Sequence, residues 1–168
     1  ATNRLPAATV EAVRGAARSH GSLASTFYTG AAAIVRAALA GCDDVIVGLT
    51  VSGRDPEIPG VERLVGSLIN DLPVRVSLDR AQCVGAWARS LQRHVTEIQG
   101  VAPVAPARLL AWSERPGGQP LFDLLTLVQP AVTFATEWGA LTWHPLPAAP
   151  RADVPLTLTI SDGGAEVE

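Results

Sequence analysis

Lysine and methionine are missing from this sequence, and all thirteen of its basic residues are arginine. The arginines stand singly and the formal net charge is -3, so the chain offers no basic face of the kind that grips a phosphate backbone. Cysteine is nearly as scarce. Cys42 and Cys83 are too few for a disulfide framework and form no ligand-like pair, so reduced thiols in a cytoplasmic protein are the expectation. His20, His94 and His144 are each isolated, so no metal site is expected. No run approaches the roughly 18 apolar residues that a membrane helix needs. The opening Ala1-Thr2-Asn3-Arg4 lacks the charged-then-apolar layout of a signal peptide. Nucleic acid and membrane are therefore not expected as partners.

What is present is apolar. Hydrophobic residues make up 48% of the 168 and charged ones 17%, the balance of one well-buried globule rather than a disordered chain. It also leaves spare apolar surface, which implies that something else covers part of it. The chain does not begin with Met and stops soon after a strand-like run, so it reads as a segment, residues 1–168, of a longer protein.

Pro6 is suited to open a first helix with Val10, Val13 and Ala17 on one face, and Gly21 stops it. Ser22 is placed to cap a second helix running to about Ala40, with Gly41 as its stop. That helix is apolar nearly all round and is expected to be buried on most sides. The β-branched run from Val45 to Val51 reads as a central strand, with Gly48 marking a close approach by another backbone or a ligand. Residues 61–70 suit a short helix. Pro73 to Leu78 suits a strand, and Val84, Trp87, Ala88, Leu91, Val95 and Ile98 form the stripe of a third helix. Leu121 to Gln129 suits another central strand, Trp138 to His144 a half-exposed one, and Leu156, Leu158 and Ile160 one face of a last strand. Strands alternate with helices too irregularly for a doubly wound sheet. The fold class is therefore α/β, a mixed sheet with helices packed mainly on one face.

A search for chemistry returns little. A general base is most often histidine. His20 sits at a helix end, where capping the helix dipole is the plainer role. His94 falls among polar positions, and His144 precedes a proline in an edge-like strand. No Asp stands at triad spacing to any of them. Gly163-Gly164 is not followed by a helix, so no phosphate loop is present. Asp43-Asp44 reads as a solvated turn. No catalytic residue is expected in this chain.

The most distinctive stretch is Val51-Ser52-Gly53-Arg54, then Gly60-Val61-Glu62-x-x-Val65-Gly66, then Asn70-Asp71-Leu72-Pro73-Val74-Arg75. With the preceding Asp43-Asp44-Val45-Ile46-Val47-Gly48, it resembles the condensation domains of nonribosomal peptide synthetases. Two later blocks agree in the family's order: Trp112-Ser113-Glu114-x-Pro116-Gly117-Gly118-Gln119-Pro120-Leu121-Phe122-Asp123 and Val154-Pro155-Leu156-Thr157-Leu158-Thr159. The resemblance implies the C-terminal lobe of a two-lobed, chloramphenicol-acetyltransferase-like fold. The family's His-His-x-x-x-Asp-Gly motif belongs to the N-terminal lobe and is absent here. The implied reaction is attack by a carrier-tethered amine on a carrier-tethered thioester, in a tunnel between the lobes. The implied partners are that N-terminal lobe, peptidyl or aminoacyl carrier domains and a neighbouring adenylation domain. No cofactor would bind directly, since the substrates ride on phosphopantetheine of the carriers.

Under this resemblance Ser52, Gly53, Arg54 and Asn70 line the tunnel, while Gly66, Pro73, Arg75 and Asp123 are structural. Gly53 permits a sharp turn, and Ser52 offers a hydroxyl. Arg54 either holds the loop or neighbouring lobe by forked hydrogen bonds or forms an ion pair with Asp55 or Glu57. Asn70 either bonds nearby backbone or faces the tunnel. Asp123 anchors a loop. The sequence departs from the family at Asp71, where Thr is usual, at Ser67-Leu68, where Phe-rich positions are usual, and at Gln129-Pro130, where intervening residues are usual. Other readings are a non-catalytic scaffold or carrier-docking module, or a lobe of an epimerisation, cyclisation or ester-forming relative.

Overall fold

The computed structural model describes residues 3–54, 57–113, 115, 119–130, 137–138, 141–142 and 154–162. Four helices occur among them: α1 (Ala7–Ser19), α2 (Ala24–Ala40), α3 (Val84–Gln99) and α4 (Pro106–Trp112). The strands are β1 (Asp44–Val51), β2 (Asn70–Ser77), β3 (Leu124–Pro130), β4 (Glu137–Trp138), β5 (Leu141–Thr142) and β6 (Leu156–Asp162). A four-stranded sheet has the order β2-β1-β3-β6. β1 runs antiparallel to β2 and parallel to β3, and β3 runs parallel to β6. The sheet is therefore mixed, as expected. The short β4 and β5 pair separately, where a single half-exposed strand was expected, and His144 lies outside the described residues.

The alternation of β1 and β2 explains why the helices gather on one face. Val45, Val47 and Leu49 are cross-strand partners of Val76, Val74 and Leu72. On that face Val45, Val47, Leu49, Val74 and Val76 pack with Leu124 against Ala32, Ala33 and Ala37 of α2 and Leu91 and Val95 of α3. Burying each of these Val and Leu side chains contributes about 1.5–3 kcal/mol. Small residues let the helices approach: a Cβ on Gly30 would stand 2.8 Å from the Trp87 ring. On the opposite face Gly48 leaves room for a side chain rather than a backbone or a ligand. A Cβ there would overlap the ring of Phe122.

Several local expectations are corrected. Leu23, not Ser22, occupies the cap position of α2, and Ser22 Oγ is buried with no hydrogen-bond partner among the described residues. Gln92 Oε1 on α3 accepts from the Leu23 N–H at 2.8 Å and from the Thr26 hydroxyl at 2.6 Å. A tertiary contact thus supplies what the local cap signal promised. α2 is not buried on most sides. Ile34, Val35 and Leu39 are exposed, because the sheet and α3 cover one side and the α1 cluster reaches only Ala24 and Tyr28.

Of residues 61–70 only Val61–Arg63 form a helical turn, of the 3-10 type. β2 begins at Asn70 instead of Pro73. Pro73 is tolerated inside it because β2 is an edge strand, where a missing N–H breaks no ladder on the open side. On β6 only Ile160 is buried, whereas Leu156 and Leu158 stay exposed at the other sheet edge. Among the described residues no single helix is long and apolar enough to cross a membrane.

Candidate functional site

β1 ends at Val51, and the chain turns at once through Ser52, Gly53 and Arg54. Gly53 takes φ +63°, and a Cβ there would collide with the carbonyl oxygen of Leu68. Only glycine satisfies both the backbone and the space at this point. Ser52 Oγ accepts the Arg54 N–H at 3.3 Å, closing the turn.

The Arg54 guanidinium then reaches across residues 57–64. It donates to the Val61 carbonyl at 2.6 Å and, from two nitrogens, to the Leu64 carbonyl at 3.2 and 3.3 Å. Of the two roles open to Arg54, these bonds describe the loop-holding one; Asp55 lies outside the described residues. The Val61 carbonyl takes the Leu64 N–H of the 3-10 turn as well, so Arg54 holds the turn without displacing its ladder bond.

This turn borders a cavity of about 570 Å³. Thr50, Ser52, Gly53 and Arg54 form one side, and Gln99 and Gly100 at the end of α3 form part of the other. Among the described residues, none that lines it is histidine or cysteine. Asn70 does not line it. Its Nδ2 donates to the carbonyls of Ala102 at 2.6 Å and Val104 at 2.9 Å, so it fastens the segment after α3 that closes the cavity. Sequence reasoning missed Thr50, which reads as one more β-branched strand residue, and Gln99, which reads as a helix end.

The remaining singled-out residues lie elsewhere. Arg75 and Asp123 share a second cavity, of about 530 Å³, with Arg36, Arg115 and Phe122. It adjoins the start of β1, at Asp44, whereas the first cavity adjoins its end. Asp123 accepts Arg36 Nε at 2.7 Å and an Arg36 terminal nitrogen at 2.8 Å, tying the start of β3 to α2. These hydrogen bonds hold the Asp123 carboxyl below its ordinary value. Arg75 grips Asp44 across the strands at 2.5 Å, and Arg80 grips Asp43 at 2.9 Å, so both acids of the Asp43-Asp44 turn are paired and their carboxyls are lowered by those bonds. Gly66 stands exposed in the loop at φ +153°. Cys42 and Cys83 are free, exposed thiols.

Comparison with known proteins now bears on this arrangement. The model of the condensation-domain family matches residues 1–134. The chain belongs to the condensation-domain family. Chondramide synthase from Chondromyces crocatus is 37% identical over 120 residues, 71% of the chain. A linear gramicidin synthase polypeptide from Brevibacillus parabrevis is 33% identical over 158 residues, 87% of the chain. The chain spans only 3% of either relative's length. Among solved structures, the condensation domain of the monacolin K polyketide synthase superposes with a TM-score of 0.75 at 23% identity, covering 98% of this chain and 40% of that one. A four-domain nonribosomal peptide synthetase gives 0.81 at 15% identity, covering 98% and 14%. At these identities the solved structures show the fold alone, and it is the expected one: the chloramphenicol-acetyltransferase-like fold of condensation domains.

Proposed function

We propose that the chain is the C-terminal lobe of an amide-forming condensation domain of a nonribosomal peptide synthetase, supplying a channel wall while the other lobe supplies the imidazole. The observation that carries this is the cavity behind the Ser52-Gly53-Arg54 turn, a built, polar-rimmed space at the end of β1. In the reaction an acceptor amine attacks the carbonyl carbon of a donor thioester. The C–N bond forms, the C–S bond breaks, the thiolate leaves on the donor carrier's pantetheine and the amine gives up a proton. This lobe binds and orients the reactants, and no cofactor joins it directly. The carriers present the substrates on phosphopantetheine, and an adenylation domain loads them. A cytoplasmic location accords with the two free, exposed thiols.

The loop beyond Arg54 supports the two-lobed reading. Ile58, Leu64, Val65 and Ile69 are all exposed, Val65 completely. Apolar side chains gathered in one loop mark a surface meant to be covered. The chain covers 40% of the solved condensation domain of the monacolin K polyketide synthase, and the proposed cover is the lobe that makes up the rest. The test is reconstitution. The chain, the N-terminal lobe and two loaded carriers are mixed, and product is followed by mass. Amide is expected only with both lobes present; amide from this chain and the carriers alone overturns the proposal.

A further inference from the structure

Thr50 and Asp71 stand directly opposite each other in the antiparallel register of β1 and β2. Thr50 Oγ1 donates to Asp71 Oδ1 at 2.6 Å. An ionised carboxylate can only accept, so the single hydroxyl proton is committed to Asp71 and the lone pairs of the threonine oxygen remain for a donor. Among the described residues Asp71 takes part in no ion pair, and its carboxylate has no other side-chain partner. Both residues are half-buried, and Thr50 lines the cavity of about 570 Å³. The next two polar residues along the chain differ in kind, while Glu57 and Gln99 add further acceptors to the lining. Arg54 carries donors only, and Ser52 Oγ already takes the Arg54 N–H. The strand pair therefore places a hydroxyl of fixed polarity at the cavity wall.

We infer that Thr50, oriented by Asp71, accepts a hydrogen bond from an N–H group of the carrier-borne substrate in this cavity. Thr50 is the binding residue and Asp71 a positioning residue acting through it. The inference rests on the reading above that the cavity is part of the substrate channel. The N–H has two possible sources, an amide of the pantetheine arm or the amino group of the acceptor.

The experiment titrates two probes separately into the isotopically labelled chain and follows the Thr50 methyl resonance in the parent and the backbone amide resonances of residues 50–54 in the parent and every variant. Pantetheine carries amides and no amine; glycine methyl ester carries the amine and no pantetheine. One probe is expected to shift the Thr50 signal saturably, which identifies the source. Thr50→Val keeps the shape and loses the acceptor, so the affinity of that probe should fall about five- to tenfold, the effect of one hydrogen bond. Thr50→Ser should restore it. Asp71→Ala, which frees the hydroxyl proton, should weaken it less than Thr50→Val does. Unchanged spectra elsewhere keep a folding defect from mimicking the result. Failure of both probes to move the Thr50 signal, or equal affinity in Thr50→Val, overturns the inference. Amide assays distinguish the two levels. Binding that depends on Thr50 in a domain that makes no amide counts against the functional reading, whereas amide formation indifferent to Thr50→Val counts against the inference.

Discussion

At the scale of the residue, glycines with the same backbone sign carry different costs. Gly41 ends α2 at φ +65° with open space around its missing Cβ, whereas Gly53 at φ +63° faces the Leu68 carbonyl. Gly41→Ala should lower stability by about 1 kcal/mol from backbone strain alone, and Gly53→Ala by about 3 kcal/mol or more, because strain and overlap add. Chemical denaturation of the two variants measures the gap; equal losses would contradict the geometry. Asp123 makes a pH prediction. Arg36 lowers its folded value below the ordinary 3.8, so the pair's stabilisation is fully present above 3.8 and is lost as pH falls through the lowered folded value. Asp123→Asn should lower Tm at neutral pH and flatten the fall of Tm below about pH 4, read by circular dichroism across a pH series. The exposed Asp44–Arg75 pair should matter far less, since solvent screens it. Gly53 was legible from sequence as a sharp turn. Its collision partner was not, because Leu68 reaches it only through tertiary structure.

At the scale of the element, period and punctuation carried most of the information. The Val10 and Ala17 face of α1, the glycine stops at Gly21 and Gly41, and the Ala88, Leu91 and Val95 stripe of α3 all follow from spacing. What spacing could not supply was the neighbour. α2 has apolar residues on every side, so its inward face depends on where α3 and the sheet lie. Gly30, Ala32, Ala33 and Ala37 face inward, and the larger Ile34, Val35 and Leu39 face out. Ser22 lost its cap role for the same reason, to a glutamine 70 residues on in sequence. The contrast is measurable. Leu91→Ala, 5% exposed between α3 and α2, should cost about 2–5 kcal/mol, while Leu39→Ala, 75% exposed, should stay within about 0.5 kcal/mol in this chain. A large loss at Leu39 would mean that this face is covered in solution.

At the scale of the whole molecule, α2 and α3 pack on one face of the sheet, and on the proposed reading the cavity at the end of β1 is a channel wall whose reactive group comes from the other lobe. The proposed division starts from the sequence, where no histidine stands at triad spacing to an Asp and a well-developed loop motif is present. The distribution of Ser52, Arg54, Arg75 and Asp123 between two cavities was not legible there, since strand order sets it. Val65 tests the division most cleanly. Its side chain is fully exposed, makes no part of either core cluster and sits in the loop that Arg54 ties down at Val61 and Leu64. Replacing it by aspartate removes no packing from this chain, so Val65→Asp should leave its stability within about 0.5 kcal/mol of the parent. If the other lobe covers the loop, the same change buries a carboxylate without a partner in the assembled domain. Amide yield in the two-lobe reconstitution should then fall at least about tenfold, and raising the concentration of the other lobe should restore part of it, because the defect lies in association. Full activity of Val65→Asp at limiting lobe concentration would place the lobe contact on a different surface.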